Sequence, residues 1–164
     1  MSAAPMPRFS RKTPETLLVR PATSDDVPAM IKLEKHAVTA AHWSAGHYEK
    51  LLSGSGPPRT ALVIEEDGSL QGFLVARDLG TEWEIENIAI AGPARRRGLG
   101  TRLLGEFLDR VRHGGARAVF LEVRESNLAA RTLYEKWAFE ESSRRKHYYQ
   151  DPPEDAVIYR LNLA

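Results

Sequence analysis

The sequence predicts an α+β domain in which helices flank a mixed, mostly antiparallel sheet. Three observations predict it. β-prone runs and amphipathic helical stretches follow one another in the order β-α-α-β-β-β-α-β-α-β-β. Asp67-Gly68 separates two apolar runs, a turn pair that marks a hairpin. The run Ile88-Ala89-Ile90-Ala91 breaks at Gly92-Pro93 and feeds a turn of three arginines and two glycines, after which an amphipathic helix begins.

Each element has its own signal. Residues 16–21 read as a first strand. Ser24 can cap a helix running to His36, with Val27, Met30, Ile31 and Leu33 on its apolar side. Ser44 can cap a shorter helix ending at Leu52, and Gly54-Ser55-Gly56-Pro57-Pro58 is a loop. Residues 60–65 and 70–76 are the arms of the hairpin, and residues 82–90 are the next strand. Leu99, Leu103, Leu104, Phe107, Leu108 and Val111 recur at helical spacing, and Gly114-Gly115 stands where a helix end favours glycine. Residues 118–123 read as a buried strand and residues 127–136 as a helix, followed by Phe139. The basic stretch Arg144-Arg145-Lys146-His147-Tyr148-Tyr149 leads to a final strand near residues 156–163.

Composition narrows the function classes. The 164 residues suit one domain, residues 16–164, with a core of useful size. Residues 1–15 are polar, hold three prolines and lack the apolar segment of a secretory signal, so a disordered tail and a cytoplasmic location are expected. Charged residues make up 27% and the net charge is only +1, so nothing global draws the chain to nucleic acid or an anionic membrane. No window of 18 apolar residues exists to span a membrane. The absence of cysteine excludes disulfides, thiolate metal sites and a cysteine acyl intermediate.

The turn at residues 92–101 carries the chemistry. Glycines let the backbone approach a ligand, and a helix start offers free N–H groups and the positive end of a dipole. Arginines add forked donors for phosphate oxygens. Arg95, Arg96, Arg97, Gly98, Leu99, Gly100 and Thr101 therefore read as a phosphate loop. A Walker A loop would need lysine before Thr101. A dinucleotide fingerprint would need glycine at Leu103, although Glu122 stands about where its ribose-binding acid belongs. Arg/Gln-x-x-Gly-x-Gly/Ala is matched by Arg95, Gly98 and Gly100. A solvated basic turn capping a surface helix is the plain alternative.

Further along the chain runs Leu-Glu-Val-Arg-x-x-Asn-x-x-Ala-x-x-Leu-Tyr, from Leu121 to Tyr134, then the basic stretch ending Tyr148-Tyr149, then Glu154-Asp155-Ala156. With the Arg95/Gly98/Gly100 loop before them, these resemble the GNAT superfamily of N-acetyltransferases, and within it the ribosomal-protein-alanine N-acetyltransferase branch. The resemblance runs from about Leu17 to Leu163. It implies a GNAT-like acyl-CoA N-acyltransferase fold, splayed between the strand at Ile88 and the strand at Leu121. Acetyl-CoA, as co-substrate, would lodge in the splay against Ile88, Ala89, Ile90, the phosphate loop, Asn127 and Tyr134. The implied reaction is direct attack in a ternary complex by the N-terminal α-amine of a protein, a small-subunit ribosomal protein beginning with alanine. No metal, membrane or direct nucleic-acid partner is implied, and the chain would be a monomer or weak dimer. A lysine or small-molecule amine as acceptor, or a non-catalytic acyl-CoA-sensing or RNA-binding module, stays open.

Acetyl transfer from a thioester needs a neutral amine, a stabilised oxyanion and a proton for the leaving thiolate. Glu122 is the candidate base: it alternates with Leu121 and Val123 on an apolar strand, where burial would raise its pKa, unless an arginine such as Arg124 claims it. Glu84 and Glu86 are rivals, and the family pattern usually has an apolar residue where Glu86 stands. Tyr134 is the candidate acid, which the resemblance places at the coenzyme sulfur. Trp137-Ala138-Phe139 replaces the usual small-Gly-Phe turn, so either that turn is reshaped or Ala138 stores strain. The resemblance implies that Trp43, His42 and His47 lie at the acceptor edge, with Tyr148 and Tyr149 in the opposite loop, and Trp43, Glu84, Tyr148 and Tyr149 are the candidates for gripping the acceptor. His42 and His47 do not have the spacing of a helical metal pair.

Overall fold

A computed structural model of the chain describes residues 16–35, 43–54, 56–92 and 98–163. Seven strands form one sheet: β1 (Leu17–Pro21), β2 (Arg59–Glu66), β3 (Ser69–Asp78), β4 (Glu82–Ile90), β5 (Ala118–Arg124), β6 (Glu140–Gln150) and β7 (Pro153–Asn162). Their spatial order is β1-β2-β3-β4-β5-β7-β6. Every neighbouring pair is antiparallel except β4 and β5. The helices are α1 (Val27–Lys35), α2 (Ala45–Leu52), α3 (Leu99–His113) and α4 (Leu128–Lys136). The expected element order and the mixed, mostly antiparallel sheet are what the chain adopts. The tail at 1–15, His36, His42 and Arg95, Arg96 and Arg97 lie outside the described residues.

Strand alternation builds two apolar layers, one on each face. Leu62, Ile64, Leu74 and Ala76 face α3 and α4, where they meet Leu103, Leu104, Phe107 and Tyr134. Ala61, Val63, Phe73 and Val75 face α1 and α2, where they meet Met30, Leu33, Tyr48 and Leu51. The first helix starts differently from the expected Ser24 cap. Residues 24–26 form a 3-10 turn behind Thr23, and the Asp26 carboxylate accepts the Thr23 N–H at 2.7 Å. Arg20 also binds Asp26 through both terminal nitrogens at 2.8 Å, which holds the Asp26 carboxyl below the usual carboxylate range. A carboxylate serves this helix start because it can take the backbone N–H and the guanidinium together.

Two irregularities in β4 position the site. Val75 pairs with Asn87 but Ala76 pairs with Ile85, so Glu86 is an extra residue, a β-bulge. The bulge inverts the alternation: Trp83 and Ile85 lie against the α3–α4 layer, and beyond the bulge so do Ile88 and Ile90, while Ala89 joins the α1–α2 layer. The parallel pairing of β4 with β5 is also short, running from Glu82↔Ala118 to Ile85↔Leu121. Beyond it β4 follows β3 as far as Gly72↔Ile90, and β5 follows β7 as far as Arg124↔Ala156. The two strands part there, and the expected splay is present.

Candidate functional site

The helical side of the parting is built for close approach. Gly98, at φ +77°, is the residue before α3, and its carbonyl accepts the Arg102 N–H at 3.0 Å. A side chain there would be strained, so glycine fits the turn. A Cβ on Gly100 would lie 3.4 Å from Leu133 and 3.6 Å from Ile90, so the first turn of α3 sits against β4 and α4 beside the splay. Leu99 is buried and Thr101 half-buried. The first turn of a helix has N–H groups without intrahelical partners, and such groups can receive a pyrophosphate. Asn127 caps α4, its side-chain oxygen accepting the Ala130 N–H at 3.1 Å. These features fit an acyl-pantetheine chain entering between β4 and β5 with its phosphates at α3.

Tyr134 comes from α4 into the same layer. It is 3% exposed, with Phe139 and Tyr159 rings 5.6 and 6.2 Å away. Burial, and then the neighbouring Tyr149, push its phenol well above the ordinary value, so it stays protonated and remains a proton donor. The turn after α4 keeps its shape rather than changing it: Ala138 takes φ +65°. Trp137 is accommodated from the other side, because a Cβ on Gly105 would come within 2.9 Å of its ring.

The opposite side of the parting is charged. Glu122 is the first residue of β5 beyond its last pair with β4. Its side chain is 20% exposed and pairs at 3.2 Å with Arg145, not with Arg124, which binds Glu154. The rival carboxylates have partners too: Glu84 binds Arg77 at 2.7 Å and Glu86 binds Arg59 at 2.7 Å. Glu86, the extra residue of the bulge, is thus half-buried and held by the Arg59 guanidinium.

Sequence reading missed how Tyr148 and Tyr149 reach Glu122. Arg145 pairs with Ala156 and Tyr149 with Glu154, so three residues of β6 oppose Asp155 alone. His147 takes φ +53° in this bulge and donates its N–H to Asp155 at 2.9 Å. Consecutive residues of a regular strand point to opposite faces, but here both tyrosines feel Glu122. Its carboxylate, ahead of burial, pushes the Tyr148 phenol up. Burial first and then Glu122 push Tyr149 up to about 12. The two rings meet edge to face at 5.1 Å, and the Arg124 and Arg145 guanidiniums lie over Tyr149 and Tyr148 at 4.2 and 5.2 Å. Trp43 stands apart on the α1–α2 side, 4.3 Å from the His47 ring and 5.5 Å from Tyr48. Among the described residues no group of three or more His, Cys, Asp or Glu is placed to hold a metal ion, and no helix is long and apolar enough to cross a membrane.

The acetyltransferase (GNAT) family matches residues 27–139. The chain is 33% identical over 141 residues to the [ribosomal protein bS18]-alanine N-acetyltransferase of Escherichia coli K12, covering 85% of this chain and 93% of that protein. It is 36% identical over 124 residues to the protein of the same name from Haemophilus influenzae, covering 74% and 82%. The crystal structure of the ribosomal-protein-S18-alanine N-acetyltransferase from Escherichia coli superposes with a TM-score of 0.79 at 29% identity, covering 91% of this chain and 95% of that one.

Proposed function

The chain belongs to the acetyltransferase (GNAT) family, and on that premise we propose that its acceptor is the N-terminal α-amine of a protein, a ribosomal protein beginning with alanine. As a member of the family it is an N-acetyltransferase that uses acetyl-CoA. The bound thioester supplies an already activated acetyl carbonyl. The amine nitrogen forms a bond to that carbon and the carbon–sulfur bond breaks, with both substrates held together in a ternary complex. Arg95, Arg96 and Arg97, with Gly98, Leu99, Gly100 and Thr101, hold the phosphates, while Ile88, Ala89 and Ile90 line the acyl chain and Asn127 closes its side. Glu122 takes the proton of the ammonium, directly or through water. Tyr134 donates a proton to the departing sulfur, and the second proton that the nitrogen sheds on becoming an amide passes to solvent, from which the phenol is reprotonated. Tyr148, Tyr149, Glu84 and Trp43 border the path of the acceptor peptide.

One observation carries the reading. At the point where β4 and β5 part, a half-buried carboxylate, Glu122, stands on one face and a phenol kept protonated by burial, Tyr134, comes from the other. That is the pair a reaction needs when a proton leaves on the amine side and arrives on the sulfur side. An α-amine has a pKa of about 7.7–8, roughly 2.5 units below lysine, so one carboxylate suffices to free it near neutral pH. The sequence likeness to enzymes named for an alanine of bS18 supports the choice of an N-terminus. Mass spectrometry of a peptide library incubated with the pure protein and acetyl-CoA tests it. Acetyl groups on the α-amines of peptides beginning with alanine are expected; acetyl groups confined to lysine side chains would move the assignment to a lysine acetyltransferase.

A further inference from the structure

Among the described residues, the most deeply buried polar cluster lies on the α1–α2 side, away from Glu122 and Tyr134. Glu34, in the last turns of α1, is 2% exposed; Asn87 is 4% exposed and Tyr48 fully buried. Glu34 Oε1 accepts the backbone N–H of Trp43 at 2.8 Å and the Asn87 side-chain amide at 3.1 Å. Oε2 accepts the Tyr48 hydroxyl at 2.7 Å, and Asn87 also donates to that hydroxyl at 3.4 Å. The four residues come from α1, the start of the α2 segment, α2 itself and β4. Asn87 follows the bulge at Glu86 and precedes Ile88, so it is part of the strand that borders the acyl chain. Trp43 is the residue on the acceptor side.

We infer that Glu34 is a positioning residue for acetyl transfer, one carboxyl group that sets the distance between the acceptor wall, Trp43 with α2, and the coenzyme strand β4. A buried carboxyl group whose partners among the described residues are neutral donors carries a desolvation cost that an apolar side chain would not. What it supplies in return is direction: two oxygens accept from three elements at once, which no apolar contact can specify. Tyr48 stays a donor in this arrangement, because burial and then Glu34 raise its phenol far above the ordinary value. A misplacement of about 1 Å between reacting groups costs on the order of a hundredfold in rate. The two walls Glu34 joins are those that must present the amine and the thioester to each other. The inference rests on the reading that a peptide acceptor passes Trp43.

The test compares Glu34→Gln and Tyr48→Phe with the wild type, using acetyl-CoA and a short peptide with a free N-terminal alanine. Glu34→Gln replaces one acceptor oxygen with an NH2 group; Tyr48→Phe keeps the ring packed and removes one donor. Both variants should lose protection from hydrogen exchange at the Trp43 backbone amide. Both should turn the peptide over about ten- to a hundredfold more slowly, or with a raised peptide KM, while acetyl-CoA KM and thermal stabilisation by acetyl-CoA stay within about twofold. If Glu34→Gln does not fold, the isosteric Tyr48→Phe decides alone. Folded variants with wild-type kcat and peptide KM, or a loss that only tracks the folded fraction, would overturn the inference and reduce the cluster to a stability element. No transfer to the peptide by the wild type would instead remove the acceptor reading, and this inference with it.

Discussion

The two sides of the β4–β5 parting solve different problems with different materials. On the α3–α4 side the work is done by backbone and absence: a left-handed Gly98 before the helix, and a Gly100 without a side chain against Ile90 and Leu133. On the other side it is done by paired charge: Glu122 with Arg145, Glu84 with Arg77, Glu86 with Arg59, and Glu82 with Arg160. In the proposed reaction the first side binds a ligand that is the same in every turnover, which fixed dipoles suit. The second would admit an ammonium and release a neutral amide, which exchangeable ion pairs suit. Arg145, 56% exposed in its side chain, pairs with the carboxylate that the proposed reaction assigns to the incoming ammonium.

The largest effect should come from Tyr134→Phe. It leaves the apolar packing and removes only the proton donor, so kcat should fall about 10²–10⁴-fold with acetyl-CoA affinity little changed. Turnover within a few-fold of wild type would make Tyr134 a packing residue. Glu122→Gln, on the charged side, should act through pH. The carboxylate contributes an acidic limb to the rate profile; without it, activity should be about a hundredfold lower near neutrality and recover as pH rises and the free amine becomes abundant. An unchanged limb and rate would send the search for the base to Glu84 and Glu86.

Gly100→Asp probes the backbone side. Acetyl-CoA at about 100 times its dissociation constant should stabilise the wild type by about 2.7 kcal/mol, visible as a thermal shift. An aspartate beside Leu133 and Ile90 puts bulk and negative charge where phosphates approach, and the shift should vanish. A retained shift would mean that the coenzyme enters elsewhere. The smallest effect belongs to neither side. Ala138 at φ +65° carries a strain of about 1 kcal/mol that glycine does not, so Ala138→Gly should raise Tm by ~2–4 °C and leave kcat alone. A lower Tm would show that the methyl group packs more than it strains.

The backbone side was legible in the sequence because its requirements are local. A glycine pair at a helix start, an asparagine three residues before the amide it caps, and a helical apolar stripe can each be read from spacing. The departure at Trp137-Ala138-Phe139 was visible too, but its accommodation was not, since it depends on Gly105 more than thirty positions earlier in the chain. The charged side was legible only as a set of candidates. Which arginine holds Glu122 depends on how β6 lies against β7, and a bulge placing three residues opposite Asp155 sets that register. The Glu86 bulge has the same character: an alternating pattern counts two residues per repeat and cannot announce that one strand carries an extra. The Glu34 cluster drew no attention because a glutamate on an amphipathic helix reads as a solvated residue until the fold buries it.

Two peptides of one sequence test the central claim most directly. One has a free N-terminal alanine and no lysine; the other has a blocked N-terminus and one internal lysine. Each is incubated with the protein and acetyl-CoA near neutral pH, and the acetylated product is followed by mass. The charged side, with one carboxylate serving an amine of pKa about 7.7–8, predicts rapid acetylation of the first peptide and almost none of the second. Equal rates on both would contradict N-terminal specificity while leaving the family's acetyl transfer in place.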